Sequence, residues 1–336
     1  MEISRRNFIH RSSLAAAVIP LAGNLNLSGS EISSDFETAP VCPNISREDD
    51  FKFNIFSKAL QWLEVKEMVD RVAEMGFDGI DLMVRSNGQI LPERVEDDLP
   101  KAVEIAEKAG ISVKMLVTAI NNSDDQFTAR ILKTASDLGI RNYRTNWLFY
   151  DDAKTIDENL AIVQNTLTGL AQLSEKYRIS CDYQNHSGKY TPNSYFGASI
   201  WDLYAVLKNI RSPWLGSQFD IMHTVVEGAY SWETDFKLIA PYIHSIALKD
   251  FRWSKNQAKW FTENVPVGEG MVDFKKFLGL VKRFNVKCPV SVHYEFPLGG
   301  AERGSKIVSM DKTEILSRMK QNLVTLKRYF SEEELL

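Results

Sequence analysis

Four short segments of this chain end in side chains that can move protons or hold a cation. They are Tyr183-Gln184-Asn185-His186-Ser187-Gly188, Gln218-Phe219-Asp220-Ile221-Met222-His223, Ile246-Ala247-Leu248-Lys249-Asp250 and Ser291-Val292-His293-Tyr294-Glu295. Each opens as an apolar run and closes on polar groups. Side chains alternate along a strand, so residues two apart share a direction. Gln184 then points with Asp182, Asp220 with Gln218, Lys249 with Ala247, and Glu295 with His293 and Ser291. If these strands end at one mouth, Asp220 and Glu295 converge there. Two carboxylates in a water-poor mouth need a cation between them, or one must keep its proton. The cation could be a divalent metal or the ammonium of Lys249.

The candidate catalytic residues are therefore Glu295, Lys249, Asp220 and His223, the last in a loop three residues beyond Asp220. The bland alternative for Lys249 is a salt bridge with Asp250. Arg85 follows Asp81-Leu82-Met83-Val84, and Arg144 follows Asn142-Tyr143. A guanidinium at a strand end is a planar fork for carboxylate, phosphate or vicinal hydroxyls. Trp147 and Trp253, with Trp62 and Phe251, fall at or just past strand ends and could face the apolar side of a sugar. Gln184 and His186 complete the candidate substrate-binding set. His244, at the opening end of its strand, reads as structural. His293 reads as support beneath Glu295.

Short apolar runs alternate with helical periodicity from residue 51 onward. Strands are expected over 51–56, 79–84, 112–119, 142–147, 180–185, 215–221, 243–249 and 290–295. Helices are expected over 64–75, 99–108, 126–138, 156–177, 200–210, 232–239, 274–284 and 312–329. Eight strand–helix units imply an α/β fold, a single-domain (β/α)8 TIM barrel, with its site at the C-terminal strand ends and apolar residues filling the lower layers. A doubly wound sheet is the competitor. It lacks a GxGxxG after the first strand, and no nucleotide cofactor is expected.

The 336 residues suffice for one such barrel. Lys plus Arg number 40 and Asp plus Glu 44, a net charge of −4. That charge gives no field for a polyanion, so nucleic acid is not an expected partner. Cys42, Cys181 and Cys288 show no metal-ligand spacing, and the latter two read as core residues. Residues 1–23 read as a twin-arginine signal, with Arg5-Arg6 before a short apolar run from Leu14 to Ala22. That run is too short to span a membrane. Residues 24–50 read as a polar linker, and 51–336 as the barrel. The expected location is periplasmic, or cytoplasmic if the Arg pair is only part of a tail. Nothing in the chain bears on oligomeric state.

From Phe51 onward the chain resembles the xylose-isomerase-like barrel superfamily, whose members are usually labelled sugar phosphate isomerase/epimerase. The resemblance rests on Phe56-Ser57-Lys58 with Leu60-Gln61-Trp62, Gly76-Phe77-Asp78-Gly79-Ile80-Asp81-Leu82, and Asn185-His186-Ser187-Gly188. It continues through Asp220 with His223, Leu248-Lys249-Asp250, Pro266-Val267-Gly268-Glu269-Gly270 with Asp273-Phe274, and His293-Tyr294-Glu295. It implies a manganese- or magnesium-type ion held by Glu, Asp, His and Glu from strands five to eight, the glutamates also moving protons. Two positions match, Asp220 and Glu295. The other two hold Gln184 and Ala247. The candidate metal ligands are thus Asp220, Glu295 and Gln184, in a site weakened or lost. Gln184 offers a neutral carbonyl oxygen but no base, and Ala247 offers nothing.

The resulting expectation is an exported sugar isomerase/epimerase-like enzyme. It would transfer a proton next to a carbonyl of a sugar or keto-sugar, by isomerisation, epimerisation or elimination. Export argues against a phosphorylated substrate. The alternative is a non-catalytic carbohydrate-binding protein on a degenerate isomerase barrel.

Overall fold

The computed structural model describes residues 51–188 and 194–336. The expected leader (1–23) and the expected linker (24–50), with Cys42, lie outside the described residues. The barrel strands are β1 (Phe53–Phe56), β2 (Gly79–Val84), β3 (Ser112–Thr118), β4 (Asn142–Arg144), β5 (Ser180–Gln184), β6 (Leu215–Asp220) and β7 (Ile243–Leu248). After a two-stranded hairpin, β8 (Asp250–Asn256) with β9 (Lys259–Val265), the last barrel strand is β10 (Val290–Val292). Strands β1 to β7 and β10 pair in parallel and in chain order, and β10 closes on β1. The helices between them are α1 (Val65–Met75), α2 (Val95–Lys108), α3 (Thr128–Asp137), α4 (Ile156–Tyr177), α5 (Ile200–Ile210), α6 (Ile221–Gly228), α7 (Trp232–Ile239) and α8 (Phe274–Arg283), with α9 (Lys312–Glu332) closing the chain. Among the described residues no helix is long and apolar enough to cross a membrane.

Local chemistry sets these elements. In α1 the buried Met68, Val69, Val72 and Met75 recur at helical spacing and form one face. Gly76 ends it at φ 90, a left-handed cap that suits glycine. α4 opens on a capping box, Thr155 with Glu158. The bounds expected for α4, α5, α7 and β2 coincide with those observed. α2 instead begins four residues early, at Val95. Glu96, Asp97 and Asp98 fill its first turn and complement the helix dipole. β4 stops at Arg144, three residues short of Trp147, because Thr145 N–H turns to the Asp182 carbonyl and Asn146 N–H to that of Ile120.

The interior corrects the expectation of apolar lower layers. Asp182 accepts from Asn142 Nδ2 (3.1 Å), Ser180 Oγ (2.9 Å) and Ser245 Oγ (3.0 Å), tying β4, β5 and β7 together. His244 Nδ1 joins the same group, 2.8 Å from Ser180 Oγ, so its structural reading holds. Its ring lies over Gly216, where a Cβ would sit 2.4 Å from it. On the opposite side Ser291 donates to Asp81, and His293 Nε2 lies 3.0 Å from Ser291 Oγ. Cys181 and Cys288 are both fully buried.

Candidate active site

Lys249 follows directly on β7 and is 3% exposed. Its Nζ lies 3.3 Å from Asp220 Oδ2, 3.2 Å from Glu295 Oε2 and 2.7 Å from His223 Nε2. One ammonium thus meets three acceptors from β6, α6 and the segment after β10. Lys58, in the short 3-10 turn after β1, donates to the other Glu295 oxygen at 3.2 Å. Burial works against the Lys249 charge, yet Asp220 and Glu295 outweigh it and hold its pKa above the ordinary lysine value. Burial also pushes up both carboxylates, with different outcomes. Asp220 is wholly enclosed with one ammonium partner and stays raised. Glu295 has two ammoniums and ends well below the usual carboxylate range. Its side chain is 21% exposed, whereas that of Asp220 is not exposed at all. A cleft of about 350 Å³ reaches Glu295 and is also lined by Lys58, Asn264 and Arg303. Of the two carboxylates, Glu295 and not Asp220 is therefore open to the cleft.

Asp220 holds the architecture. Its side chain caps α6, accepting from His223 N–H at 3.2 Å. His223 is therefore on a helix and not in the expected loop, which fixes its ring beside Lys249. Asn185 brackets the same junction, accepting from Asp220 N–H (2.8 Å) and donating to the Asp220 carbonyl (3.1 Å) and Thr224 Oγ1 (3.0 Å). Burial first, then the Lys249 charge, depress both His223 and His186. His223 falls well below the ordinary histidine value and His186 to about 3. Both are neutral at pH 7. His223 Nε2 accepts from the ammonium, and its Nδ1–H donates to Ser187 Oγ at 2.7 Å.

Gln184 links the acidic pair to Arg144. Its Nε2 donates to Asp220 Oδ2 at 2.8 Å, and its Oε1 accepts from Arg144 Nη1 at 2.7 Å. A donor on one side and an acceptor on the other fix the amide orientation. Arg144 is 2% exposed, with its Cζ 5.0 Å from the Phe56 ring centre and 5.2 Å from that of Trp147. Arg85 lies 6.0 Å from the same Phe56 ring. Trp147 and Tyr195 pack against His186, which stacks on His223 at 3.9 Å.

The structure so gathers Glu295, Lys249, Asp220, His223, Gln184, Arg144, His186 and Trp147 through one chain of contacts, with Arg85 beside Phe56. Trp253 lies apart from that chain of contacts, half-exposed on the hairpin and packed edgewise on Phe251. Trp62 donates to the Ala59 carbonyl and carries Lys312 over its ring. Asp250 makes no ion pair with Lys249. It accepts instead from the backbone N–H groups of Phe251, Gly268, Gly270 and Val272, pinning the segment after the hairpin. Lys58 and Ser187 are the contacts that sequence reasoning missed. The signal for Lys58 was its place two residues beyond β1, the strand that adjoins β10.

The donor set does not suit a divalent ion. The Gln184 carbonyl oxygen faces Arg144, Ala247 beside Asp220 has no donor, and the Lys249 ammonium lies among Asp220, Glu295 and His223. Among the described residues no three His, Cys, Asp or Glu side chains converge to hold a metal.

Residues 69–309 match the family described as xylose isomerase-like TIM barrel. No curated protein matches the sequence. Among solved structures, the IOLI protein with a bound zinc atom is similar at 18% identity and TM-score 0.66, over 84% of this chain and 100% of that one. D-psicose 3-epimerase from Clostridium cellulolyticum H10 is similar at 13% identity and TM-score 0.62, over 83% and 99%. The 3-keto-D-glucoside 4-epimerase of E. coli is similar at 12% identity and TM-score 0.61, over 82% and 99%. At such identities the likeness is one of fold.

Proposed function

The chain belongs to the xylose isomerase-like TIM barrel family, and from that premise we propose that it is a sugar isomerase/epimerase-like enzyme moving a proton beside a carbonyl. The observation that carries this reading is the Lys249 ammonium between Asp220, Glu295 and His223, with Glu295 alone of the two carboxylates open to the cleft. Glu295 takes the proton from the carbon next to the substrate carbonyl. The C–H electron pair becomes the C=C bond of an enediolate, and the carbonyl π pair moves onto oxygen. Lys249 and Lys58, already aimed at Glu295, meet that oxygen anion. The same carboxyl then returns its proton to the adjacent carbon while a hydroxyl proton passes between the two oxygens, which is isomerisation. Alternatively it protonates a β-hydroxyl leaving as water, which is elimination. Inversion at one carbon needs a second acid–base group on the opposite face. Gln184 cannot be one, so isomerisation or elimination is favoured over epimerisation.

The Arg5-Arg6 pattern before the Leu14–Ala22 apolar run, read as an export signal, supports action outside the cytoplasm on a substrate without phosphate. The test is proton exchange in D2O, read by NMR on aldose–ketose pairs. Deuterium should enter beside the carbonyl, Glu295→Gln should slow this by about 10²–10⁴-fold, and a chelator should leave it unchanged. Loss on chelation would sink the ammonium-based mechanism. Sugar binding without exchange on any pair would turn the reading to the non-catalytic carbohydrate binder.

A further inference from the structure

On its arginine side the mouth has cations with no carboxylate in direct contact. Lys249 pairs with Asp220 and Glu295, and Lys58 with Glu295. Two ammoniums thus meet two carboxylates. Arg85 and Arg144 remain; Arg144 feels the charges of Glu295, Asp81 and Asp220 at a distance, but among the described residues neither arginine forms a direct ion pair. Arg85 turns one arm to the soft Met83 sulfur at 3.6 Å. Arg144 gives Nη1 to the Gln184 carbonyl, while its Nε–H is buried without an acceptor. The Trp147 indole N–H is likewise buried without an acceptor. The two orphan donors belong to side chains in contact, since the Arg144 Cζ lies 5.2 Å from the Trp147 ring centre.

A buried N–H without a partner costs about 1–3 kcal/mol, so orphan donors are rare in folded proteins. Here two adjoin, beside two guanidiniums pressed toward one aromatic ring, Phe56. Burial and the neighbouring Arg85 depress Arg144, but only to about 9, so it keeps its charge at pH 7. What completes such a group is an acceptor with negative charge. In the cleft that reaches Glu295, the buried Asn264 Oδ1 is an acceptor without a partner and suits a hydroxyl.

We propose that the mouth takes a sugar acid and binds its carboxylate at Arg85, Arg144 and the Trp147 N–H. This rests on the sugar-enzyme reading of the same mouth and names its substrate class. A planar carboxylate meets a guanidinium edge with two oxygens at once. The hydroxylated chain then extends from the arginines toward Glu295, Lys58 and Asn264.

Calorimetry on the full-length mature protein provides the test, with D-glucuronate against D-glucose, D-fructuronate against D-fructose, and D-fructose 6-phosphate as the phosphate arm. Each acid should bind about tenfold or more tighter than its neutral partner, the factor that one charge-assisted hydrogen bond supplies. Arg144→Met should remove that preference, and Arg85→Met should reduce it if the first variant does not fold. Equal binding of acid and neutral sugar, a preference that survives both substitutions, or tighter binding of the phosphate overturns the proposal. The D2O exchange assay on the same sugars separates the two readings. Acid preference without exchange sinks the enzyme and keeps the anion site. Exchange without acid preference does the reverse.

Discussion

Replacing Lys249 by methionine tests the electrostatics of the mouth directly. The substitution keeps most of the stem and deletes one buried charge. At an effective dielectric of about 20, unit charges 3.2–3.3 Å apart attract by about 5 kcal/mol, and Lys249 has two such partners. Burying the ammonium costs several kcal/mol, which offsets much of this. Removing one member of a buried ion group typically costs about 3–5 kcal/mol, and that is the expected loss of stability at pH 8. Asp220 would keep only the Gln184 amide and the His223 backbone N–H. Its pKa, already raised, would rise further. A carboxyl with a raised folded pKa contributes stability that is complete below its unfolded pKa and lost as pH climbs through the folded value. The deficit of Lys249→Met should therefore shrink from pH 8 to pH 5. Urea unfolding followed by tryptophan fluorescence at both values measures it. A deficit below about 1 kcal/mol at pH 8, the range of an exposed pair, would refute the reasoning. So would an equal deficit at both values.

Three further outcomes are expected. Adding Gln184→Glu and Ala247→His to Lys249→Met should create a manganese site of roughly micromolar affinity, about −8 kcal/mol, visible by calorimetry. No binding would undermine the alignment of β5 and β7 with the family ligands. Burial pushes Asp81 to about 7 in the fold, against the opposing Ser291 hydroxyl and Arg144. Asp81→Asn should gain on the wild type as pH rises from 4 to 8, by up to about 4 kcal/mol for three pKa units, and a pH-independent difference in urea unfolding would contradict this. Replacing Arg5 and Arg6 by lysine should hold the precursor in the cytoplasm, and unchanged periplasmic yield in fractionated cells would remove the export reading.

The barrel was legible because its strands are apolar runs and its helices carry one apolar face, patterns that survive without any partner. The convergence of Asp220, Lys249 and Glu295 followed from alternation and strand ends alone. Other features depend on contacts that sequence spacing does not encode. The hairpin Asp250–Val265 turns at Gln257-Ala258, without the Asn-Gly or Asp-Gly that announces a tight turn. α6 was hidden because its N-cap, Asp220, is also the last residue of β6, so no loop separates strand from helix. Lys58 and Glu295 stand 237 residues apart, and only ring closure brings them together.

The polar interior has a consequence for how the chain folds. Ser291 reaches Asp81 across 210 residues, and the Asp182 group takes donors from β4, β5 and β7. An apolar core can begin to form around any few strands. The Ser291–Asp81 bond cannot, since it joins β10 to β2 across β1 and forms only when the last strand reaches the first. Incomplete sheets are thereby penalised until the first and last strands meet. The barrel should appear as a unit late in folding, and a fragment ending before Val290 should remain without fixed tertiary structure.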